Sequence, residues 1–209
     1  KAPAQIDRCG LPVIAIPTTG GTGSELTRWC VITDTASPEK YNLSGLACVA
    51  TAALIDWQFT ITKPARITAD TGIDSLTHAL EAFVSKRAHP NTDAFALSAM
   101  PLIVTHLRRA CSDPENSVAR AALMLAASQA GMAFSNASVA LVHGMSRPIG
   151  AHFHVAHGLS NAMLLPAVTA FSVASAPARY ATVARVMGWA QSGDTDVIAC
   201  AKLIEGLRV

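Results

Sequence analysis

The feature that most constrains this chain is a change of pattern near Pro64. Before it, apolar residues come in short β-branched runs, LPVIAIP (11–17), TRWCVIT (27–33) and ATAALIDW (50–57), joined by Gly-, Ser- and Pro-rich links. Such runs read as strands. After it, apolar residues recur at helical spacing, and helices are predicted over about 70–87, 91–110, 115–135, 137–146, 158–171, 176–189 and 194–207. The fold expected is a short α/β part followed by an all-α part. The boundary divides the chain into residues 1–58 and 59–209. No internal repeat or low-complexity tract interrupts either part.

Local signals refine the helices. Ser112 and Glu115 have the S-x-x-E spacing of a capping box ahead of Val118, Ala121 and Leu125. Pro101 is expected to kink or split the second helix, and Pro166 and Pro177 to mark later breaks. Apolar residues make up 51% of the chain and aromatics only 5%, so the core must be built mainly from Ala, Leu, Ile and Val. That texture favours closely packed helices.

Charge and cysteine usage narrow the function classes. A net charge of +2 offers no electrostatic footing for nucleic acid or a membrane surface. No uninterrupted apolar run approaches the roughly 18 residues of a transmembrane helix, and KAPAQIDRCG lacks the layout of a signal peptide. The five cysteines (Cys9, Cys30, Cys48, Cys111, Cys200) are odd in number and form no CxxC pair. A disulfide framework is not expected, and a reducing cytoplasm is the natural location.

Four residues carry the chemistry. Asp74 and His78 lie four apart in GIDSLTHALEAF, on one face of a predicted helix. His143 and His157 bracket a second His- and Gly-bearing segment, LVHGMSRPIGAHFHVAHG. A lone D-x-x-x-H pair also occurs as a solvated or capping pair, and clustered histidines as core residues with backbone partners. Here both segments are embedded in apolar sequence, where buried imidazole and carboxylate need compensation. One carboxylate and three imidazoles suit Fe²⁺ or Zn²⁺, with a position left for a substrate oxygen. Glu81 follows on the same helical face, placed either to orient a ligand imidazole or to sit in solvent. Upstream, Thr18-Thr19-Gly20-Gly21-Thr22-Gly23-Ser24-Glu25 follows a strand. It is either an ordinary turn or a loop whose N–H and hydroxyl groups meet a phosphate or ribose.

Three strings, IPTTGGTGSE (16–25), LIDWQFTITKPARITADTGIDSLTHALEAF (54–83) and GMAFSNASVALVHGMSRPIGAHFHVAHGLSNAMLLP (131–166), resemble the iron-containing alcohol dehydrogenase family in order and spacing. The resemblance runs from about Pro12 to Phe171. It implies a dehydroquinate synthase-like fold, with the C-terminal part of a dinucleotide-binding domain followed by a helical metal-binding domain. It also implies that Asp74, His78, His143 and His157 hold the metal, Fe²⁺ or Zn²⁺. Thr18, Thr19, Gly21, Thr22 and Gly23 would contact the nicotinamide cofactor, NAD or NADP. Phe134 resembles an aromatic of the substrate pocket, with a helix-core phenylalanine as the other reading. The proton acceptor is left open between bound water, an imidazole such as His154, and the cofactor ribose.

The activity implied is interconversion of a small alcohol with its aldehyde or ketone. A homo-oligomer, dimer or larger, is implied, with neither nucleic acid nor membrane as partner. A polyol dehydrogenase, a maleylacetate reductase or a non-catalytic metal-binding piece are the alternatives. The family often has histidine where this chain has Arg147, which removes a possible proton relay and adds a fixed charge. The chain lacks an initiator Met and the family's glycine-rich pyrophosphate turn, and it closes inside an amphipathic pattern. An internal segment of a larger dehydrogenase is therefore expected.

Overall fold

The computed structural model describes residues 4–6, 10–33 and 40–208. Two small sheets occupy the N-terminal part. β3 (Trp29–Thr33) and β4 (Lys40–Ser44) form an antiparallel ladder pairing Trp29 with Ser44 and Val31 with Asn42, and β1 (Ala4–Gln5) adds to β4 in parallel. β2 (Ile14–Ala15) pairs in parallel with β5 (Ala52–Ala53). The three predicted runs thus contain strands, though two of them are only two residues long. Much of their apolar surface, including Ile14, Val31 and Leu54, is exposed.

Seven α-helices follow among the described residues: α1 (Ala65–Val84), α2 (Pro90–Ser112), α3 (Ser117–Ala137), α4 (Leu141–Phe153), α5 (His157–Ser172), α6 (Pro177–Val186) and α7 (Asp196–Gly206). The observed fold is the expected one, a small strand part and a helical body. α1 is the axis of that body. From Asp74 to Phe83 every residue on it is buried, and it packs against α2, α3, α5 and α6. A helix covered all round must meet its neighbours closely, and alanine supplies the room. Ala79, Ala82, Ala96, Ala99, Ala126, Ala130 and Ala133 are all sealed from solvent. By length and composition His157–Ser175 is apolar enough to span a membrane; here its helix packs on α1 and α4.

Three local expectations are corrected. Pro101 and Pro166 do not break their helices, and Pro148 also lies within α4. In α2 the buried Ala96, Ala99, Met100 and Ile103 flank the proline, so packing on both sides holds the helix through one missing hydrogen bond. Ser112 and Glu115 form no capping box. Ser112 ends α2, and the side chain of Asn116 accepts from the Ala119 N–H at 3.0 Å to cap α3. The helix expected over 137–146 instead begins at Leu141 and runs to Phe153, because α3 continues to Ala137 and α4 turns away from it by 101°.

Candidate metal centre

The four residues singled out by spacing come together. Each of Asp74, His78, His143 and His157 offers one ligand atom, and these atoms all lie within 4.8 Å of one another. Asp74 and His78 stand one turn apart on α1, His143 on the first turn of α4, and His157 at the first residue of α5. Asp74, His78 and His143 are buried, whereas His157 opens toward solvent.

Close backbone approach brings α5 into place. A Cβ on Gly158 would collide with the carbonyl oxygen of Asp70, one turn before Asp74. Only glycine lets the start of α5 lie on α1 there, and this seats His157 beside the carboxylate.

α4 is held by Glu81. Its carboxylate accepts from the backbone N–H of Val142 at 2.5 Å and of His143 at 3.3 Å, which caps a helix that has no local capping side chain. The same carboxylate accepts from His143 Nδ1 at 2.7 Å. Glu81 is buried, so the reading of it as a solvated residue is excluded. In the neutral form with its proton on Nδ1, the form that ligates metals, His143 would turn an unprotonated Nε2 toward Asp74.

The spacing fits a cation. Ligand atoms about 2.1 Å from a tetrahedral metal are about 3.4 Å apart. Asp74 Oδ1 lies 3.4 Å from His143 Nε2 and 3.5 Å from His157 Nε2. The electrostatics agree. Burial depresses the His78 pKa to about 3 against the pull of Asp74, so its ring is neutral with a lone pair available. Its Nδ1 is buried without a hydrogen-bond partner among the described residues, 3.9 Å from Asp74 Oδ2. Burial alone would raise the Asp74 carboxyl, but His78, the hydrogen bond with His143 and the charge of His157 hold it below the usual range. Burial opposes protonation of His143, yet its bonds to Asp74 and Glu81 raise its pKa.

Phe134 stacks on His78 with ring centroids 4.1 Å apart at 15°, and His78 stacks on His143 at 4.4 Å and 18°, so three rings form one column. His154 stands outside the cluster. It is the exposed C-cap of α4, in the left-handed conformation (φ 55°). Arg147 lies one turn beyond His143, exposed, and its charge is one of those acting on His78.

The loop from Thr18 to Gly23 lies against the helical body. Gly21 leaves no room for a side chain against Thr71 of α1. Gly23, at φ +59°, approaches Gly131 of α3 so closely that a Cβ would lie 2.7 Å from its Cα. Thr22 Oγ1 donates to Ser24 Oγ at 3.1 Å and accepts from the Ser24 N–H, while Thr18 is exposed. Thr19 and Gly20 line a small pocket with Lys63, Thr68, Thr71 and Arg120.

One residue of the cluster escaped the sequence reading. Asn161, fully buried one turn after His157, points its amide into the same space.

A helical body that gathers a carboxylate and three imidazoles with ligand atoms within 4.8 Å of one another defines a metal-binding domain. The profile of the Fe-containing alcohol dehydrogenase family, C-terminal, matches residues 68–208, and that of iron-containing alcohol dehydrogenase matches residues 1–57. The chain belongs to the iron-containing alcohol dehydrogenase family. An NAD-dependent methanol dehydrogenase of Bacillus methanolicus is 39% identical over 203 residues, covering 97% of this chain and 53% of that protein. A 1,3-propanediol dehydrogenase of Klebsiella pneumoniae is 39% identical over 196 residues, 94% of this chain and 51% of its own. The solved structure of a 1,3-propanediol oxidoreductase matches with a TM-score of 0.93 at 38% identity, over 96% of this chain and 53% of that one. The chain spans about half the length of the curated relatives it matches.

Proposed function

We propose that this chain carries the metal-binding half of an oxidoreductase that interconverts an alcohol with its aldehyde or ketone, using a nicotinamide cofactor. The observation that carries this reading is the tetrahedral spacing of Asp74 Oδ1, His143 Nε2 and His157 Nε2 beside a neutral, buried His78. Asp74, His78, His143 and His157 would hold Fe²⁺ or Zn²⁺. When bound, such a cation supplies Lewis-acid polarisation of the substrate oxygen. NAD or NADP would supply the hydride acceptor.

The chain's own side chains prepare the site. Glu81 fixes the His143 tautomer. Exposed His157 marks the open side, by which substrate would enter. Thr18, Thr19, Gly21, Thr22 and Gly23 are the residues proposed to meet the cofactor, since their glycines bring the loop onto α1 and α3. Residues 1–58 are read as part of the dinucleotide-binding domain, where the exposed apolar strand residues Ile14, Val31 and Leu54 would be covered by further sheet. His154 is proposed as a proton acceptor on the solvent side of the site. Its position at the solvent-exposed end of α4 is the support for that role. A cytoplasmic homo-oligomer acting on small alcohols, with neither nucleic acid nor membrane as partner, completes the reading.

The test is to reconstitute the purified enzyme, with its dinucleotide-binding part complete, with Fe²⁺ or Zn²⁺ and follow nicotinamide absorbance on adding a primary alcohol with NAD⁺ or NADP⁺. Turnover that disappears on chelation is expected, whereas the 209-residue segment alone is expected to turn over poorly or not at all. A metal-replete enzyme that reduces neither cofactor across a panel of short alcohols would contradict the proposal.

A further inference from the structure

Asn161 is completely buried, on α5 one turn after His157. Its Nδ2 lies 2.7 Å from Asp74 Oδ1, 3.3 Å from His143 Nε2 and 3.3 Å from His157 Nε2. Three atoms that the metal reading assigns as ligands therefore surround one amide group. Asp74 Oδ1 is an acceptor, and with the neutral His143 donating from Nδ1 to Glu81 its Nε2 is one as well. An amide N–H₂ is a neutral group that gives one donor to Asp74 and keeps a second for a ring nitrogen.

A hydroxyl at this position would reach fewer of these acceptors, and a carboxylate would add a second negative charge beside Asp74. The other end of the amide makes no such match. Asn161 Oδ1 is buried and has no hydrogen-bond partner among the described residues. Leaving a buried carbonyl unpaired costs about 1–3 kcal/mol, so the donors are held on Asp74 against that cost.

We infer that Asn161 is a positioning residue of the metal centre, whose N–H donates to Asp74 Oδ1 and aims the carboxylate at the three imidazoles. The inference rests on the metal reading above. Among the described residues Asp74 has no other side-chain donor of this kind: its remaining neighbours are the imidazoles themselves. Without Asn161 the carboxylate is free to rotate about its χ angles, and the ligand geometry loosens. Partners that hold metal ligands in place typically set affinity by 10–100-fold.

The experiment compares wild type, Asn161→Ala and the isosteric Asn161→Asp, each stripped of metal. Zn²⁺ affinity is measured by chelator competition, and the visible absorption of Co²⁺ reports ligand geometry. Wild type should bind one equivalent, Asn161→Ala about 10–100-fold more weakly with an altered Co²⁺ spectrum, and Asn161→Asp at least as weakly. The Asp variant keeps the shape of the core, so it decides the matter even where the Ala variant does not fold. Unchanged affinity in Asn161→Asp would overturn the inference, because the amide would then be acting through its oxygen. Lower thermal stability with unchanged metal affinity and spectrum would overturn it too, since Asn161 would be a packing residue only. Failure of wild type to take up metal would instead overturn the metal reading, and the inference with it.

Discussion

Glu81 and His143, which are 62 residues apart in sequence, are joined by a 2.7 Å hydrogen bond between carboxylate and Nδ1. The same carboxylate caps the first turn of α4 through two backbone N–H groups. One side chain thus places the helix and orients the imbedded imidazole. Glu81→Gln leaves a single acceptor for three donors. Metal affinity should fall by about 10–100-fold and stability by about 1–3 kcal/mol, read by chelator competition and by urea unfolding of the metal-free protein. Unchanged values in both would return Glu81 to a passive role.

Gly158 makes an equally specific demand. Alanine there collides with the Asp70 carbonyl, so the start of α5 must move away from α1. Gly158→Ala should destabilise the fold by about 1–3 kcal/mol, the usual range for overpacking, and weaken metal binding because His157 moves with the helix. A variant as stable as wild type with full metal affinity would show that α5 does not need this contact.

His154 occupies a left-handed position that favours glycine. His154→Gly should leave metal content unchanged and raise stability by up to about 1 kcal/mol. Kinetics of the same variant then test the proton role: a loss of kcat with metal retained assigns His154 to proton transfer, and unchanged kcat removes it from the mechanism.

The helical body was legible because a period of 3.6 residues needs only local sequence. Ends were less so, and α4 shows why. Its cap comes from Glu81 on α1, so no signal near Leu141 announces the start. The prolines misled for a related reason, since burial of Met100 and Ile103 around Pro101 is a tertiary effect. Strands β1 and β4 were missed because pairing between distant segments, not β-branched composition, makes them; Lys40–Ser44 holds Asn and Ser. The metal cluster was legible because Asp74 and His78 share a face by spacing. Asn161 stands in the same i, i+4 relation to His157, and that spacing was the available signal for it.

Arg147 is exposed and forms no hydrogen bond or ion pair among the described residues. A scaffold role through an acidic partner is therefore not seen. Arg147→His should change stability by no more than about 0.5 kcal/mol, measured by denaturant unfolding. A loss above about 2 kcal/mol would reveal a partner on which the fold depends. A hundredfold fall in kcat/KM, about 2.7 kcal/mol, with stability intact would make Arg147 a ligand for an anionic group of substrate or cofactor.

The central claim is that Asp74, His78, His143 and His157 form one metal site. It is tested most directly by anaerobic titration of the metal-stripped protein with Fe²⁺ or Zn²⁺, alongside Asp74→Asn and His143→Ala. The account predicts one equivalent bound by wild type and at least a hundredfold weaker binding by each variant, because each removes a ligand rather than a supporting partner. Absence of binding by wild type, or undiminished binding by either variant, would contradict it.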